Sequence, residues 1–317
     1  MKRYIASRLL YSILILFFVS VLIFALARLM PGDPIQAAAM INTDLANPEI
    51  MNDLRAKFGL DKPYHEQYII WLVDFVRGDW GDSLGSGEEI LAMFLRRLPI
   101  TLELFIGATF WSFIIGFPFG VIAALRRNSW LDASLTTASI IGVSIPVFWE
   151  GIVFIYLFAV ILPIFPPSGY VHFSESPWEN LLSVAMTTFV MGTSTAGLLA
   201  RYVRSSLLEV LGQDFIRTAR AKGLREKAML IRHAARPALL PVVTVIGLSW
   251  GYMVAGSFLV EYMFAIPGLG RMGVEAVFAR DFPVIQATLF VVALNVLLAN
   301  LTVDLIYGYL DPRVRVH

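Results

Sequence analysis

The chain has 317 residues, a formal net charge of +1 and no cysteine, and 57% of its residues are apolar against 15% charged. A soluble domain sits at roughly 45–50% apolar and about 25% charged, so the bilayer is the solvent for most of this chain. The missing cysteine excludes disulfides, thiolate metal sites and cysteine nucleophiles, and the near-zero net charge leaves partners to be read from where the charges stand.

Runs free of Asp, Glu, Lys and Arg, about 20 residues long, mark candidate membrane spans. The first is Leu9–Ala27. It exceeds the roughly 7–15 residues of a signal-peptide core and no small-x-small cleavage site follows, so it reads as a retained helix. Pro31-Gly32-Asp33-Pro34 ends it sharply. An outer loop from about Met30 to Leu98 mixes acids with aromatics, and the spacing of Tyr64, Tyr68, Ile69, Leu72 and Phe75 predicts short helices there. The second run is Leu104–Leu125. The third, Ala133 to about Leu162, carries Pro146 and Glu150, which predicts a tilt or kink. The fourth is Asn180–Ala200, the fifth Pro237–Val260 and the sixth Phe282–Val303.

Six spans put both termini on one side. Lys2, Arg3, Arg8, Arg126, Arg127, the nine basic residues between Arg201 and Arg236, Arg313 and Arg315 then share a compartment. These are 16 of the 25 basic residues, and the positive-inside rule makes their side cytoplasmic. Arg96-Arg97 stand on the outer side, at the end of a long loop where that rule weakens.

Between the fourth and fifth runs lies a basic insertion, Arg201–Arg236, with three acids, Glu209, Asp214 and Glu226. Asp214 is an N-cap candidate and Gly223 supplies a left-handed C′ position, which predicts a helix of about two turns. Ala219 and Ala221 keep it slim. Ile216 and Ala219 share one face, Arg217 and Arg220 another. A second helical stretch, Arg225 to Arg236, leads into Pro237. A slim basic helix standing off a membrane suits a groove on a soluble partner. An ordinary loop obeying topology, or a polybasic strip on anionic lipid, accounts for the same charges.

Catalytic chemistry finds no foothold. The five lysines, Lys2, Lys57, Lys62, Lys222 and Lys227, all lack the preceding glycine of a phosphate-binding loop, so the chain is not its own ATPase. His65, His172, His233 and His317 lie on separate segments without ligand spacing. Gly192-Thr193-Ser194-Thr195-Ala196 reads as small residues permitting close helix packing. A carboxylate in the bilayer needs water or a partner, which singles out Glu150 as a pore or partner contact and Asp304 as an anchor of the inner helix end. Trp111, Trp149 and Trp250 read as packing or interface residues.

RTARAKGL (Arg217–Leu224) followed by HAARPALLP (His233–Pro241) resembles the cytoplasmic coupling segment of binding-protein-dependent ABC importer permeases, and more closely that of the B-type permease of dipeptide/oligopeptide (peptide/nickel) systems. The likeness runs nearly end to end. It takes in RLMPGDP (Arg28–Pro34), FGLDKP (Phe58–Pro63), RGDWGDSL (Arg77–Leu84), LPITLEL (Leu98–Leu104), SIPVFWEG (Ser144–Gly151), PGLGRMGVEAVFARDFPVIQ (Pro267–Gln286) and VDLIYGYLDPRVR (Val303–Arg315). Arg217-Thr218-Ala219 replace the Glu-Ala-Ala of the wider importer motif, as is typical of the peptide subgroup. The family usually has an aliphatic or small residue where Glu150 stands.

The resemblance implies an all-α polytopic membrane protein with six transmembrane helices, the type I ABC importer permease fold and both termini cytoplasmic. It divides the chain into a first transmembrane helix (1–30), an extracytoplasmic loop with short helices (31–98), a permease core of five helices (99–308) with the coupling segment 201–236 inside it, and a cytoplasmic tail (309–317). Such a chain is not an enzyme. It forms half of a translocation pathway in the plasma (inner) membrane with a homologous second permease, meets one or two ATP-binding subunits that carry ATP and Mg, and receives solute from an extracytoplasmic substrate-binding protein. Membrane lipid surrounds it and no nucleic acid is expected. The resemblance assigns ATPase coupling to Asp214, Arg217, Thr218, Ala219, Arg220, Ala221, Lys222 and Gly223; the candidates for the translocation pathway are Glu150, as an intramembrane carboxylate, with Trp149 and Ser144 close to it in the sequence. The solute is a short peptide, with nickel chelates and glutathione, carried by similar permeases, as alternatives. A membrane protease would need a histidine on a span, and none lies there. An autonomous secondary transporter would need inverted repeats and several buried charges, of which Glu150 alone is a candidate.

Overall fold

The computed structural model describes residues 2–29, 47–57 and 61–310. The expected stop at Pro31–Pro34 and the tail with Arg313 and Arg315 lie outside the described residues. Within them the chain is built of helices joined by turns. The first is α1 (Lys2–Leu29), followed in the outer segment by α2 (Pro48–Lys57) and α3 (Tyr64–Arg77). The core opens with α4 (Ile90–Leu125), α5 (Trp130–Ser144) and α6 (Val147–Phe154), the last running on through a π-helical turn, Ile155–Ile161. Then come α7 (Pro177–Leu211), α8 (Asp214–Ala221), α9 (Glu226–Met229), a second π turn (Leu230–Ala234), α10 (Ala235–Met263), α11 (Leu269–Ala279) and α12 (Phe282–Leu310).

Four of these, α1, α4, α7 and α12, are long and apolar enough to cross a membrane, and the pair α5 and α6 is a fifth when counted as one span. The 29-residue α10 holds the run expected as the fifth span. Three runs differ from expectation in form. The second span starts 14 residues early, because α4 begins at Ile90 and passes through Pro99. At about 1.5 Å per residue its 36 residues reach about 54 Å, well beyond a hydrocarbon core of about 30 Å, so its outer turns carry Arg96 and Arg97 clear of the apolar layer. Arg96 pairs there with Glu88 at 2.7 Å. The third span is broken outright, α5 and α6 meeting at 102° across Ile145-Pro146. Pro146 disfavours helix at the residue before it, and Ile145 takes an extended ψ of 127°. The stretch expected to be helical from Arg225 to Arg236 is α9 plus a π turn, and α10 then runs through Pro237 instead of stopping there. The π turn lies just before the proline, where the ordinary ladder loses a donor.

The centre of the bundle is the contact between α4 and α7. A Cβ added to Gly116 would lie 2.5 Å from the Ala196 carbonyl oxygen, one on Gly120 2.5 Å from that of Ala200, and one on Gly192 2.6 Å from that of Ala108. The backbones touch, which hydrogen side chains alone permit. The small-residue stretch Gly192–Ala196 is thus a packing surface, as its composition indicated. Around it a buried apolar cluster gathers Leu104 and Phe105 of α4, Val190 of α7, and Val260, Phe264 and Ile266 at the outer end of α10.

Two buried acids organise the outer side. Glu261, in the last turn of α10, is fully buried. Its carboxylate accepts from the Thr101 hydroxyl at 3.0 Å and from the Arg271 backbone N–H at 3.0 Å, so it sits at the N-terminus of α11, where the helix dipole favours negative charge. Asp281 precedes α12. It accepts from the Ser83 hydroxyl, from the Gly85 N–H at 3.1 Å and from the Val284 N–H at 3.4 Å, tying the loop after α3 to the last span. At the inner end Asp304 of α12 pairs with Arg8 of α1 at 3.2 Å, which is the anchoring expected of it.

Replacing Gly116 with leucine will force α4 off α7, a cost of about 1–3 kcal/mol or more for overpacking. The expected outcome is a lower thermal midpoint and a smaller monodisperse fraction in detergent. Gly212→Ala, whose added Cβ comes no nearer than 3.4 Å to any neighbour, will leave both unchanged.

Candidate functional site

The expected coupling residues fall on α8 and the turn after it. Its ends are built as the sequence indicated, with one shift. Gln213 is the N-cap, extended at φ −74°, ψ 151°, and its carbonyl accepts from the Ile216 and Arg217 N–H groups. Asp214, expected as the cap, is instead the first helical residue. Its carboxylate is 94% exposed and turns to Arg217 at 3.3 Å, while remaining in the first turn where the dipole favours it. At the other end Gly223 has φ +77°. The Gly223 N–H bonds to the Arg220 carbonyl at 2.9 Å and the Leu224 N–H to the Ala219 carbonyl at 3.3 Å. These two bonds are the Schellman pair that closes a helix around a left-handed glycine.

Seating follows from the apolar face. Ile216 is fully buried and Ala219 nearly so, in a cluster formed by Leu207 and Val210 of α7, Met229 of α9, Ala234 and Ala238 beside and within α10, and Ala124 of α4. The Ser206 hydroxyl donates to the Ala238 carbonyl at 2.9 Å, fastening α7 to α10 beneath it. One short helix therefore rests on the ends of three long ones. Its other face is open: Phe215, Arg217, Thr218, Arg220, Ala221 and Lys222 are exposed. Arg220 reaches Glu226 at 3.5 Å. Such exposed pairs are worth about 0–1 kcal/mol and are readily given up to a partner.

One cation of the basic insertion is not available in that way. Arg204 grips Asp132 with two bonds, Nε to Oδ1 at 2.6 Å and NH2 to Oδ2 at 2.8 Å. Asp132 also accepts from the Asn128 N–H at 3.0 Å, and its own N–H bonds to Ser129, the N-cap of α5. The bidentate geometry makes this the strong kind of pair and locks α5 to α7. The signal was present as Ser129-x-x-Asp132 before an apolar run.

The three residues expected on the pathway do not converge. Ser144 ends α5 and is exposed, Trp149 is 52% exposed on α6, and Glu150 is buried. The Glu150 carboxyl meets Thr193 of α7, and its Oε2 has no hydrogen-bond partner among the described residues. Gly151 beside it leaves room for Met263 and Phe264 of α10. Sequence reading passed over Glu103 and Glu261, because each stands one residue outside an uncharged run. Glu103 accepts from the Tyr170 hydroxyl at 2.6 Å. Burial and the neighbouring carboxylate together push the Tyr170 phenol above its usual range.

Ile216→Ala opens a cavity under α8 at a cost of about 2–5 kcal/mol. Hydrogen exchange of residues 214–224 will rise while that of α7 stays low. Gln213→Ala will leave the exchange unchanged, because the Gln213 side chain makes no cap bond.

Two family models match the chain. One is described as the inner membrane component of binding-protein-dependent transport systems and covers residues 116–316; the other is the N-terminal part of such membrane components and covers residues 1–105. Relatives align end to end. A putative peptide transport system permease protein of Brucella abortus (strain 2308) is 39% identical over 315 residues, 99% of each chain. The oligopeptide transport system permease protein AppB of Bacillus subtilis is 38% identical over 321 residues, again 99% of each. The di/tripeptide transport system permease protein DppB of Pseudomonas aeruginosa (strain UCBPP-PA14) is 38% identical over 335 residues, 99% of each. Among solved structures, an inward facing conformation of the MetNI methionine ABC transporter matches with a TM-score of 0.60 at 21% identity, over 71% of this chain and 99% of that one. That likeness concerns the fold.

Proposed function

This chain belongs to the family of inner membrane components of binding-protein-dependent transport systems, and from that premise we propose that it is the permease subunit of an ATP-driven importer of short peptides, coupled to its motor through α8. It is a multi-pass transport subunit of the inner membrane rather than an enzyme. Peptide cargo is supported by full-length relatives named for peptide, oligopeptide and di/tripeptide transport. On this reading a second, homologous permease completes the pathway, one or two ATP-binding subunits holding ATP and Mg dock below, and an extracytoplasmic binding protein delivers the solute. Residues 1–30 form the first span, 31–98 the outer segment, 99–308 the permease core with its coupling segment 201–236, and 309–317 the cytoplasmic tail.

The observation that carries the reading is a short helix closed at both ends, apolar where it meets its own chain and basic where it meets solvent. Force applied to Arg217, Thr218, Arg220 and Lys222 passes through Ile216 and Ala219 to the ends of α4, α7 and α10. The Arg204–Asp132 pair carries it on to α5 and so to the break at Pro146, where Ser144 and Trp149 stand on the exposed side and Glu150 behind them.

Gly223 has open space around it, so a substituent there meets no neighbour. Gly223→Val then acts through the backbone alone, a left-handed β-branched residue being disfavoured by about 1 kcal/mol or more. ATPase subunits should still copurify with this variant while substrate-stimulated hydrolysis falls; Gly223→Asn, tolerant of the left-handed region, should keep most of it. Charge reversal of both Arg217 and Arg220 to Glu should weaken copurification itself. Full stimulation in both the valine and the double variant would remove α8 from the coupling path. Orientation is checked separately: because the chain has no cysteine, Arg217→Cys will react with an impermeant maleimide from the cytoplasmic side only.

A further inference from the structure

The outer segment contains a helix whose position does not suit a water-exposed loop. One face of α3 carries Tyr68, Trp71 and Phe75. Tyr68 lies edge-on to Phe17 and Phe24 of α1, with ring centroids 6.5 and 5.5 Å apart, and its hydroxyl is 2.8 Å from Ser20 Oγ. Trp71 meets Phe24 at 6.1 Å and Phe290 of α12 at 5.9 Å, and Phe75 meets Phe290 at 4.7 Å. Thus α3 packs against both α1 and α12.

The depth of that contact can be read on two independent rulers. Arg28 marks the outer edge of the uncharged run of α1, and Ser20 stands eight residues below it, about 12 Å at 1.5 Å per residue. Asp281 marks the outer edge of α12, and Phe290 stands nine residues below it, about 13 Å on the same rise. Half of a hydrocarbon core of about 30 Å is about 15 Å. Both rulers set the aromatic face of α3 well below the outer boundary of the apolar layer.

The opposite face agrees. Ile69, Ile70, Val73 and Val76 are all exposed, Val76 at 77%, and they form a continuous stripe along the middle turns. The charges on that side, Glu66 and Arg77, stand at the two ends of the helix, where long side chains snorkel to water. Gln67, on the flank beside the aromatic face, is buried, and its amide donates to the Lys62 carbonyl at 2.7 Å, so its polar group is turned to protein and not to lipid. On α1, against which α3 packs, Phe17, Phe18, Val21 and Leu22 are exposed as well.

We propose that α3 is a membrane-embedded helix that does not span. It lies in the outer leaflet against α1 and α12, and its Ile69–Val73–Val76 face contacts lipid acyl chains. The inner-versus-outer assignment rests on the topology given above; the depth does not. The segment 31–98 is then not wholly extracytoplasmic, and α3 wedges the outer leaflet beside the first and last spans.

The test places single cysteines at Ile69, Val73, Val76 and, as an aqueous reference, Asp61 in the otherwise cysteine-free chain. Each is spin-labelled in the full complex reconstituted in phosphatidylcholine bilayers, and collision rates with oxygen and with a water-soluble nickel chelate are measured. At 69, 73 and 76 oxygen should collide more often than the chelate, and at 61 the order should reverse. High chelate accessibility at the three positions would overturn the proposal in favour of a solvated loop. Low accessibility to both probes would overturn it in favour of a protein cover, a second permease or the binding protein. The readout needs no transport, so failure of the peptide assignment leaves it standing.

Discussion

The membrane core depends on the approach of α4 and α7 to backbone contact. Lipid tails are as apolar as leucine, so burial alone does not hold two helices together in hydrocarbon, and close packing must do it. Gly116, Gly120 and Gly192 give that packing, each facing a carbonyl of the opposite helix. Because α7 is thereby fixed over most of its length, it can act as the post to which the remaining elements are fastened. The Asp132 of α5 is fixed to it by Arg204, α10 by Ser206, and α8 by Leu207 and Val210.

That arrangement makes α8 a rigid stub rather than a tethered arm. Two residues, Ile216 and Ala219, sink into its seat, and the Schellman closure at Gly223 stops the helix before α9 begins. The same eight residues in a free loop would be marginal, since isolated helices shorter than about 12–15 residues hardly persist in water. Stability comes from the seat, and the exposed side is left to the coupling role proposed for it. The two demands fall on different faces of a single two-turn helix.

Fold class and the approximate location of every long helix were legible from uncharged runs, because a chain in lipid must satisfy its backbone within each helix and so shows its spans as composition. The short helix α8 was legible down to the left-handed glycine, since Gly223 and the Ile216/Ala219 spacing are local signals. What run-counting missed were the acids at run edges. Glu103 and Glu261 stand just outside uncharged runs and were passed over, and their side-chain partners Tyr170 and Thr101 come from distant segments. Asp214 was placed one residue off because its carboxylate had a local competitor in Arg217. The early start of α4 was hidden by Arg96 and Arg97, which mark where the apolar layer ends and not where the helix ends.

The buried acids also rank the parts of the core by how well they are satisfied. Asp132 meets a guanidinium and a backbone N–H, and Glu261 meets a hydroxyl and a helix N-terminus. Glu150 has Thr193 at its carboxyl, and its Oε2 has no hydrogen-bond partner among the described residues. An unsatisfied buried polar group costs about 1–3 kcal/mol. This one sits where the span is bent by 102° and continues as a π turn, so two departures from an ideal helix fall within one stretch of chain. A packed bundle yields where its contacts are least satisfied, since fully paired elements have more to lose on rearrangement. The α4–α7 contact and the α8 seat are therefore the stiff parts of this molecule, and the α5–α6 break is the compliant part that a displacement of α7 reaches through Arg204 and Asp132.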